Sequence, residues 1–520
     1  MTYRHNLLIV TITMLTCCFV ASGEQVIVTL KNANAASAVS LAAKGQPVFP
    51  AAVISAARVR AFSPEAVQAV DRLARHFVLD VRDVDLDRVV DELRRNPDVE
   101  YVAKPARYTI HGLTNDSLSD DQYALSIIRA PEAWKLATGR GIVVGVLDTG
   151  IDWDHEDLRD ALAVNSDEDA NGNGRFEPWP VTETREGRTG DLNGIDDDGN
   201  GYVDDVIGFD FVDQTLRNIG DDRDRDPVPF DEQGHGTSVA GVIAATANNS
   251  RGIAGLAYDA RIVTLRAFDA TGNAEEDDIA AALVYAALNN IHIVNMSFGD
   301  GIDAPVLRDA IRFAASRNCV LIASAGNTGQ VSRQYPAGYD DVIAVGATNR
   351  RDERAPFSST GALVTLAAPG DAVITTSVDS RYRTVSGTSF AAPYVAATVA
   401  MMLERGTFSP QEVRGMLQVS SKDLGVRGHD AEFGAGRLDA AAAVATSLPS
   451  VIMIEALENE SEVDIQQIPQ LIVRGTVLTP TFQRRALYIG RGIEPSQWTL
   501  VSEGDQIQSG VLGTIDLTPF

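Results

Sequence analysis

GIVVGVLDTGID, residues 141–152, decides the fold. Ile142 to Leu147 is continuously apolar and rich in β-branched residues, so the strand it forms is covered on both faces; a half-solvated strand would alternate. The pattern returns at Arg261–Ala267, Ile291–Met296, Val320–Ala325, Val342–Gly346 and Leu363–Ala367. Helical, Ala-rich stretches accompany these runs at Ser238–Ala245, Asp277–Asn289, Pro305–Arg317, Pro393–Glu404 and Pro410–Val419. Doubly buried strands separated by helices predict a doubly wound α/β domain over 113–448, with a parallel sheet and right-handed crossovers. Ligands are expected at the C-terminal ends of its strands, and Asp148 ends the first of them.

Outward from this core the pattern changes twice. Glu24 to about Ile110 reads as strand (Gln25–Leu30), helix (Pro64–Phe77), strand, helix (Leu86–Arg95) and strand (Val99–Ala103), a small α+β domain assigned to 24–112. Before it, Arg4 and His5, the apolar run Leu7–Val20 and Ala21-Ser22-Gly23 read as a secretory signal peptide over 1–23. That run is shorter than the roughly 20 residues a spanning helix needs, so no membrane span is expected once it is removed. Residues 449–520 carry short apolar runs between Gly, Pro and polar residues, as in a β-sandwich, with too few strands to close one; the sequence reads as truncated.

The chain has 520 residues, 45% of them hydrophobic, and a formal net charge of −27. Such an acidic chain lacks the basic face that phosphate binding requires, which argues against nucleic acid as a partner. The acid is concentrated: residues 152–232 hold 25 Asp and Glu against seven Arg and no Lys. Bound cations or a solvated acidic loop would each explain that span. Of three cysteines, Cys17 and Cys18 fall within the signal, leaving Cys319 as a buried small hydrophobe and no intrachain disulfide.

Four residues share one chemistry. Ser389, in VSGTSFAAP, lies at a helix start, where backbone N–H groups favour developing negative charge. His235, in GHGTSVAG, opens an apolar helix, and Asn327, in SAGNTG, follows the strand Val320–Ala325. Singly, each has a bland reading: a turn aspartate at 148, a helix-capping histidine, a strand-ending asparagine, a capped helix. Together they supply a nucleophile, its base, a carboxylate to fix the base's tautomer and an oxyanion donor, all at strand ends or helix starts of one sheet.

LDTGID, GHGTSVAG and SGTSFAAP, in that order, resemble the three signatures of the subtilisin-like serine proteases, with SAGN between the second and third. The order Asp, His, Ser is that of subtilisin, and no G-x-S-x-G elbow surrounds Ser389. The resemblance implies a serine endopeptidase acting on polypeptides: Ser389 attacks, His235 shuttles the proton, Asp148 orients it, and Asn327 with the Ser389 N–H holds the oxyanion. It also implies that residues 24–112 are a prodomain, an intramolecular inhibitor of the enzyme's own cleft. Family walls for the residue before the cleaved bond map onto Ser297–Asp300 and Ser324–Gly326, with Gln334 near the floor. Asp300 and Gln334 suggest tolerance of polar or basic side chains.

Asp148 and His235 stand 87 residues apart, farther than in compact family members, because of an acidic insertion over 160–232. Within it Asp196, Asp198, Asn200 and Asp204 alternate around glycines like the first nine positions of a calcium loop, although Ile207 stands where the twelfth-position glutamate belongs. Asp167, Asp169 and Asn171 repeat the spacing more weakly. By resemblance, Asp157 and Asn249, the latter in ANNSRGI, match the family's high-affinity calcium site. Calcium bound only to the folded state would stabilise an exported enzyme without disulfides. An alternative reading is a catalytically silent scaffold for adhesion or calcium-dependent binding.

Overall fold

The computed structural model describes residues 24–30, 46–47, 76–81, 90–91, 93–103, 114–213, 225–447, 451–454, 469–478, 484–490, 498–505 and 508–518. The signal-peptide reading lies outside them. So does the helix expected over Pro64–Phe77, except for its last two residues, which belong to a strand instead. The chain divides into two compact units, Met1–Ile110 and His111–Phe520.

The first unit holds a four-stranded antiparallel sheet in the order β2-β3-β1-β4, from β1 (Glu24–Leu30), β2 (Gln46–Pro47), β3 (His76–Val81) and β4 (Val99–Ala103).

In the second unit the apolar runs form β5 (Val143–Asp148), β9 (Arg261–Arg266), β10 (Ile293–Met296), β11 (Val320–Ser324), β12 (Val342–Thr348) and β13 (Leu366–Pro369), and β8 (Gly208–Asp210) joins them. A two-residue ladder, β6 (Thr184–Arg185) and β7 (Arg188–Thr189), lies inside the acidic insertion. The seven strands pair in parallel in the order β13-β12-β11-β10-β5-β9-β8. Alternate residues along each strand enter opposite layers. Val144, Val146, Ile322 and Val345 join a core with helices α3 (His235–Ala244) and α6 (Thr388–Arg405). Leu147, Val294, Leu321 and Ala344 join a second with α4 (Glu276–Leu288) and α5 (Pro305–Ser316). Both faces are thus buried, the reason the strands read as continuous apolar runs. The short helices α1 (Tyr123–Ile127) and α2 (Ala130–Ala133) precede the sheet. Two more, α7 (Pro410–Ser420) and α8 (Ala440–Ala445), follow it. Cys319 is buried, which pushes its thiol up to about 12 and leaves it inert.

Three features depart from expectation. The insertion supplies β8, an edge strand too short to show a period. A hairpin, β14 (Val373–Ser377) and β15 (Arg381–Val385), packs against α3. And α6 begins at Thr388, in keeping with Ser389 at a helix start but five residues before the span drawn from Pro393, so the proline lies inside the helix. A proline there cannot donate to the Ser389 carbonyl. The Ser297 hydroxyl donates to it instead, at 2.7 Å.

After α8 come a three-stranded antiparallel sheet of β16 (Val451–Ile454), β17 (Gln470–Leu478) and β20 (Gln508–Asp516), and a hairpin of β18 (Arg485–Gly490) and β19 (Trp498–Gly504). An Arg474–Asp340 ion pair ties β17 to the loop before β12. Among the described residues no helix is long and apolar enough to cross a membrane.

Candidate active site

The strand order reverses between β5 and β10, and the crevice beyond their C-terminal ends is where such sheets bind ligands. Asp148, the last residue of β5, is buried. Its Oδ1 accepts the Thr149 N–H at 2.8 Å and lies 2.7 Å from His235 Nδ1. An ionised carboxylate only accepts, so Nδ1 carries the hydrogen and Nε2 keeps its lone pair. Burial works against a charged ring, but Asp148, by charge and hydrogen bond, and the charge of Asp231 outweigh it, and His235 is held above its ordinary pKa.

His235 begins α3, and three contacts fix that start. Gly236 has no Cβ, which would collide with the Gly150 carbonyl, so the helix can sit directly on the loop after β5. The hairpin clamps the other side: Arg383 donates to the Gly234 carbonyl at 2.7 Å, and Ser238 Oγ donates to the Thr376 carbonyl at 2.6 Å. The third is Asp231, 1% exposed and unnoticed in the sequence. Its Oδ1 accepts the Gln233 and Gly234 N–H groups at 3.0 and 2.6 Å and the Thr149 hydroxyl at 2.8 Å. Its Oδ2 accepts the Thr237 N–H and hydroxyl at 2.8 and 2.6 Å.

Asp231 therefore positions His235 without touching it. Asp231→Ala is expected to lower kcat by about 10²-fold, the scale of a misplaced catalytic group. Asp231→Asn should also move the acid limb of kcat/KM to lower pH, because the Asp231 charge helps raise His235. Unchanged kcat and an unchanged limb would count against the role.

Ser389 is the second residue of α6 and is 9% exposed. Its Oγ donates to the Ser297 carbonyl at 3.0 Å. Phe390 sets its ring 5.3 Å from the His235 ring, bringing the α6 and α3 starts together. Asn327 Oδ1 accepts both the N–H and the hydroxyl of Thr388 at 2.9 Å. That double anchor fixes the amide, whose Nδ2 lies beside Gly387, two residues before Ser389.

A hollow of about 160 Å³ is lined by Asp148, His235, Phe268, Ser297 and Phe298, among others. Phe268 and Phe298 also line a groove of about 540 Å³ that reaches Asp300 and Leu307. The Gln334 amide lies against Gly326, where any Cβ would strike its Oε1, and also against Gly299. Asp300 instead pairs by backbone with Tyr335, and its carboxylate accepts the Ile302 N–H at 3.0 Å.

The acidic insertion gathers a different ligand set from the one its spacing suggests. Asp196 spends its oxygens on the N–H groups of Gly199, Asn200 and Gly201. Asp204, at φ 57°, spends its own on Asn193 and Gly194. Asp198 meets Glu168 and Asp205 instead, with ligand oxygens within 4.8 Å of one another. Asn200 bridges them, donating to Asp198 at 3.1 Å and Asp205 at 2.9 Å. Burial pushes Asp205 up to about 6 and raises Glu168. Hard oxygen donors with no basic side chain among these hydrogen bonds fit a cation such as calcium.

Asp213, Asp277 and Asp278 also cluster, but Arg225 already pairs with all three. Asp157, fully buried, accepts from Asn249 Nδ2 at 2.6 Å, the Ile253 N–H at 3.0 Å and the Tyr382 hydroxyl at 2.9 Å. This pair, too, is chemically suited to calcium, although Asn249 turns its nitrogen, not its oxygen, toward the carboxylate. Asp116 braces the same loop through the N–H groups of Asn248 and Asn249.

Residues 139–436 match the model of the subtilase family. Over 382 residues the chain is 32% identical to the thermophilic serine proteinase of Bacillus sp. (strain AK1), covering 73% of this chain and 80% of that one. Thermitase of Thermoactinomyces vulgaris is 30% identical over 326 residues, 63% of this chain and 96% of its own. A protease structure from Pseudoalteromonas arctica has a TM-score of 0.53 at 27% identity, covering 64% of this chain and 99% of that one. With a family match over more than half its length and the seven-stranded parallel sheet, the chain belongs to the subtilase family and is a serine endopeptidase.

Proposed function

We propose that Ser389 is the nucleophile of this endopeptidase, His235 its general base and acid, Asp148 the orienting carboxylate, and Asn327 with the Ser389 N–H the oxyanion donors. The observation that carries this is the 2.7 Å contact of His235 Nδ1 with Asp148, which leaves Nε2 free to take a proton. As a peptide enters, the Ser389 hydroxyl leaves the Ser297 carbonyl and gives its proton to Nε2 while Oγ bonds to the scissile carbonyl carbon. The carbonyl oxygen becomes an oxyanion facing Asn327 Nδ2 and the Ser389 N–H, and the α6 N-terminus favours that charge. Collapse breaks the C–N bond, and the imidazolium hands its proton to the leaving amine. Water, deprotonated by the same ring, then hydrolyses the acyl-enzyme and restores Ser389.

The enzyme is read as exported and made as a proenzyme. The N-terminal sequence pattern supports export, and the separate sheet of the first unit supports a prodomain that inhibits its own catalytic domain. Gln334 between the two wall segments supports acceptance of polar side chains before the cleaved bond. Calcium would be held by Glu168, Asp198 and Asp205, with Asn200 beside them, and by Asp157 and Asn249, where it would stabilise the folded state.

Labelling with a fluorophosphonate probe tests both parts. The matured enzyme should label stoichiometrically and keep labelling after heating in calcium, and it should lose labelling after the same heating in chelator. An unlabelled wild type would favour the silent scaffold; identical survival in chelator would remove the calcium reading.

A further inference from the structure

Residues 333–341, the loop before β12, meet the substrate crevice on one side and the C-terminal sheet on the other. On the crevice side the Gln334 amide lies against Gly299 and Gly326, and Tyr335 lines the larger groove. Tyr335 also exchanges two backbone hydrogen bonds with Asp300, at 3.0 and 2.7 Å. The loop is closed on itself. The Gly338 N–H donates to the Gln334 carbonyl at 2.6 Å. The Arg333 guanidinium lies 5.6 Å from the Tyr335 ring centre and donates to the Gly338 carbonyl at 3.1 Å, and the Tyr339 ring packs 4.7 Å from that of Tyr335. A displacement at residue 340 is therefore carried to Gln334 and Tyr335.

Asp340 stands at the far end of this loop, and the C-terminal sheet reaches it twice. Arg474 of β17 pairs with its carboxylate, and Gly510 of β20 backs onto the same side chain so closely that a Cβ there would come within 3.2 Å of the Asp340 Cβ. Helix α7, on which β17 and β20 pack, holds the backbone: Arg414 donates to the Asp340 and Val342 carbonyls at 3.1 and 2.6 Å. The Arg474 side chain is only 15% exposed, and burial together with the charge of Arg333 lowers its pKa below the ordinary arginine value. A guanidinium so placed is costly without a carboxylate partner, and Asp340 supplies one. Close packing does not replace that bond: a hollow of about 530 Å³, lined by Arg333, Tyr339 and Asp340 of the loop and Val511 of β20, opens beside it. Both strands lie beyond residues 139–436, so the contact comes from outside the part of the chain that matches the family.

We propose that the C-terminal sheet braces the substrate crevice, with Arg474 a positioning residue that acts through Asp340 to hold Gln334 and Tyr335 in place for the side chain before the cleaved bond. This rests on the reading of Gln334 as part of the pocket for that side chain. A pocket already held in its bound geometry costs less to order when the peptide enters, so the brace contributes to substrate binding and not to the bond-making steps at Ser389.

The test uses the matured enzyme with its C-terminal sheet and two peptides alike except for Gln or Ala before the cleaved bond. Arg474→Asp should raise KM for the Gln peptide about tenfold with kcat within about twofold, the pattern of lost binding, and should leave the Ala peptide nearly unchanged. Adding Asp340→Arg restores the pair with its charges exchanged and should recover most of the loss, which a general loosening of the sheet would not allow. An unchanged KM in Arg474→Asp, or a double variant no better than the combined single effects, overturns the proposal. Gln334→Ala separates it from the reading beneath. If that change alters the ratio between the two peptides while Arg474→Asp does not, the pocket stands and the brace falls; if neither alters it, both fall. Should Arg474→Asp not fold, Asp340→Asn removes the pair's negative charge at a partly exposed position, and an unchanged KM for the Gln peptide there overturns the proposal equally.

Discussion

Ser389→Ala is expected to lower kcat by about 10⁶-fold while leaving the fold intact. That scale is the one known for subtilisin itself, where removing the serine costs about 2 × 10⁶ and removing the rest of the triad adds little. Non-additivity follows from the roles: without Oγ there is nothing for His235 to deprotonate, so Ser389→Ala with His235→Ala should be no slower than Ser389→Ala alone. The oxyanion donors survive, and a residual acceleration of about 10³ to 10⁴ over water should persist. Folding should be little affected, because the bond that secures α6 here runs from the Ser297 hydroxyl to the Ser389 backbone carbonyl, which alanine retains. Burst kinetics on a peptide ester, with circular dichroism as the control for folding, measure both. A variant within tenfold of wild type would remove Ser389 from the nucleophile's role.

Asp148→Asn is expected to cost about 10⁴-fold in kcat, the scale of the equivalent change in serine proteases. Asp148 Oδ1 now accepts both the Thr149 N–H and His235 Nδ1–H. An amide can turn its Nδ2 toward the ring, which forces the proton onto Nε2 and leaves His235 no lone pair facing Ser389. The pH profile separates this from a packing defect. His235 acts as a base only when neutral, so activity rises with pH through its pKa, and Asp148 raises that pKa against the pull of burial. Without the carboxylate burial prevails, and the acid limb of kcat/KM should move to lower pH even as the plateau falls. An unmoved limb would show that Asp148 does not govern the protonation of His235.

Much of this site was legible because its signals are local. The main strands announced themselves by continuous apolar runs, since each is covered on both faces, and Asp148 and Asn327 sit just where two of them end. The β14–β15 hairpin was not legible: Thr375, Thr376, Arg381 and Arg383 are polar because they bond to α3 or face solvent, and no apolar period marks them. Pro393 looked like a helix start because proline suits a first turn. In the fold α6 begins five residues earlier, with Asn327 accepting the Thr388 N–H and the Ser297 hydroxyl, just after β10, donating to the Ser389 carbonyl.

Asp231 was hidden among 25 carboxylates, with nothing local to mark it. Its role arises from five donors on Thr149, Gln233, Gly234 and Thr237 that converge only in the fold. The insertion makes the same point with neighbours: spacing favours Asp204, but at φ 57° its carboxylate serves Asn193 and Gly194, and Asp205 reaches Asp198 instead.

By itself, then, the sequence determined six of the seven strands, the family and the four groups of the proposed chemistry, because strand period and helix-start signals act over a few residues. Tertiary structure alone decided which oxygens meet: Asp148 with His235 across 87 residues, Ser297 with Ser389 across 92, Glu168 with the backbone of Asp198 across 30. Hydrogen bonds and ligand cages are set by direction and distance in space, and sequence spacing fixes neither once the chain has turned.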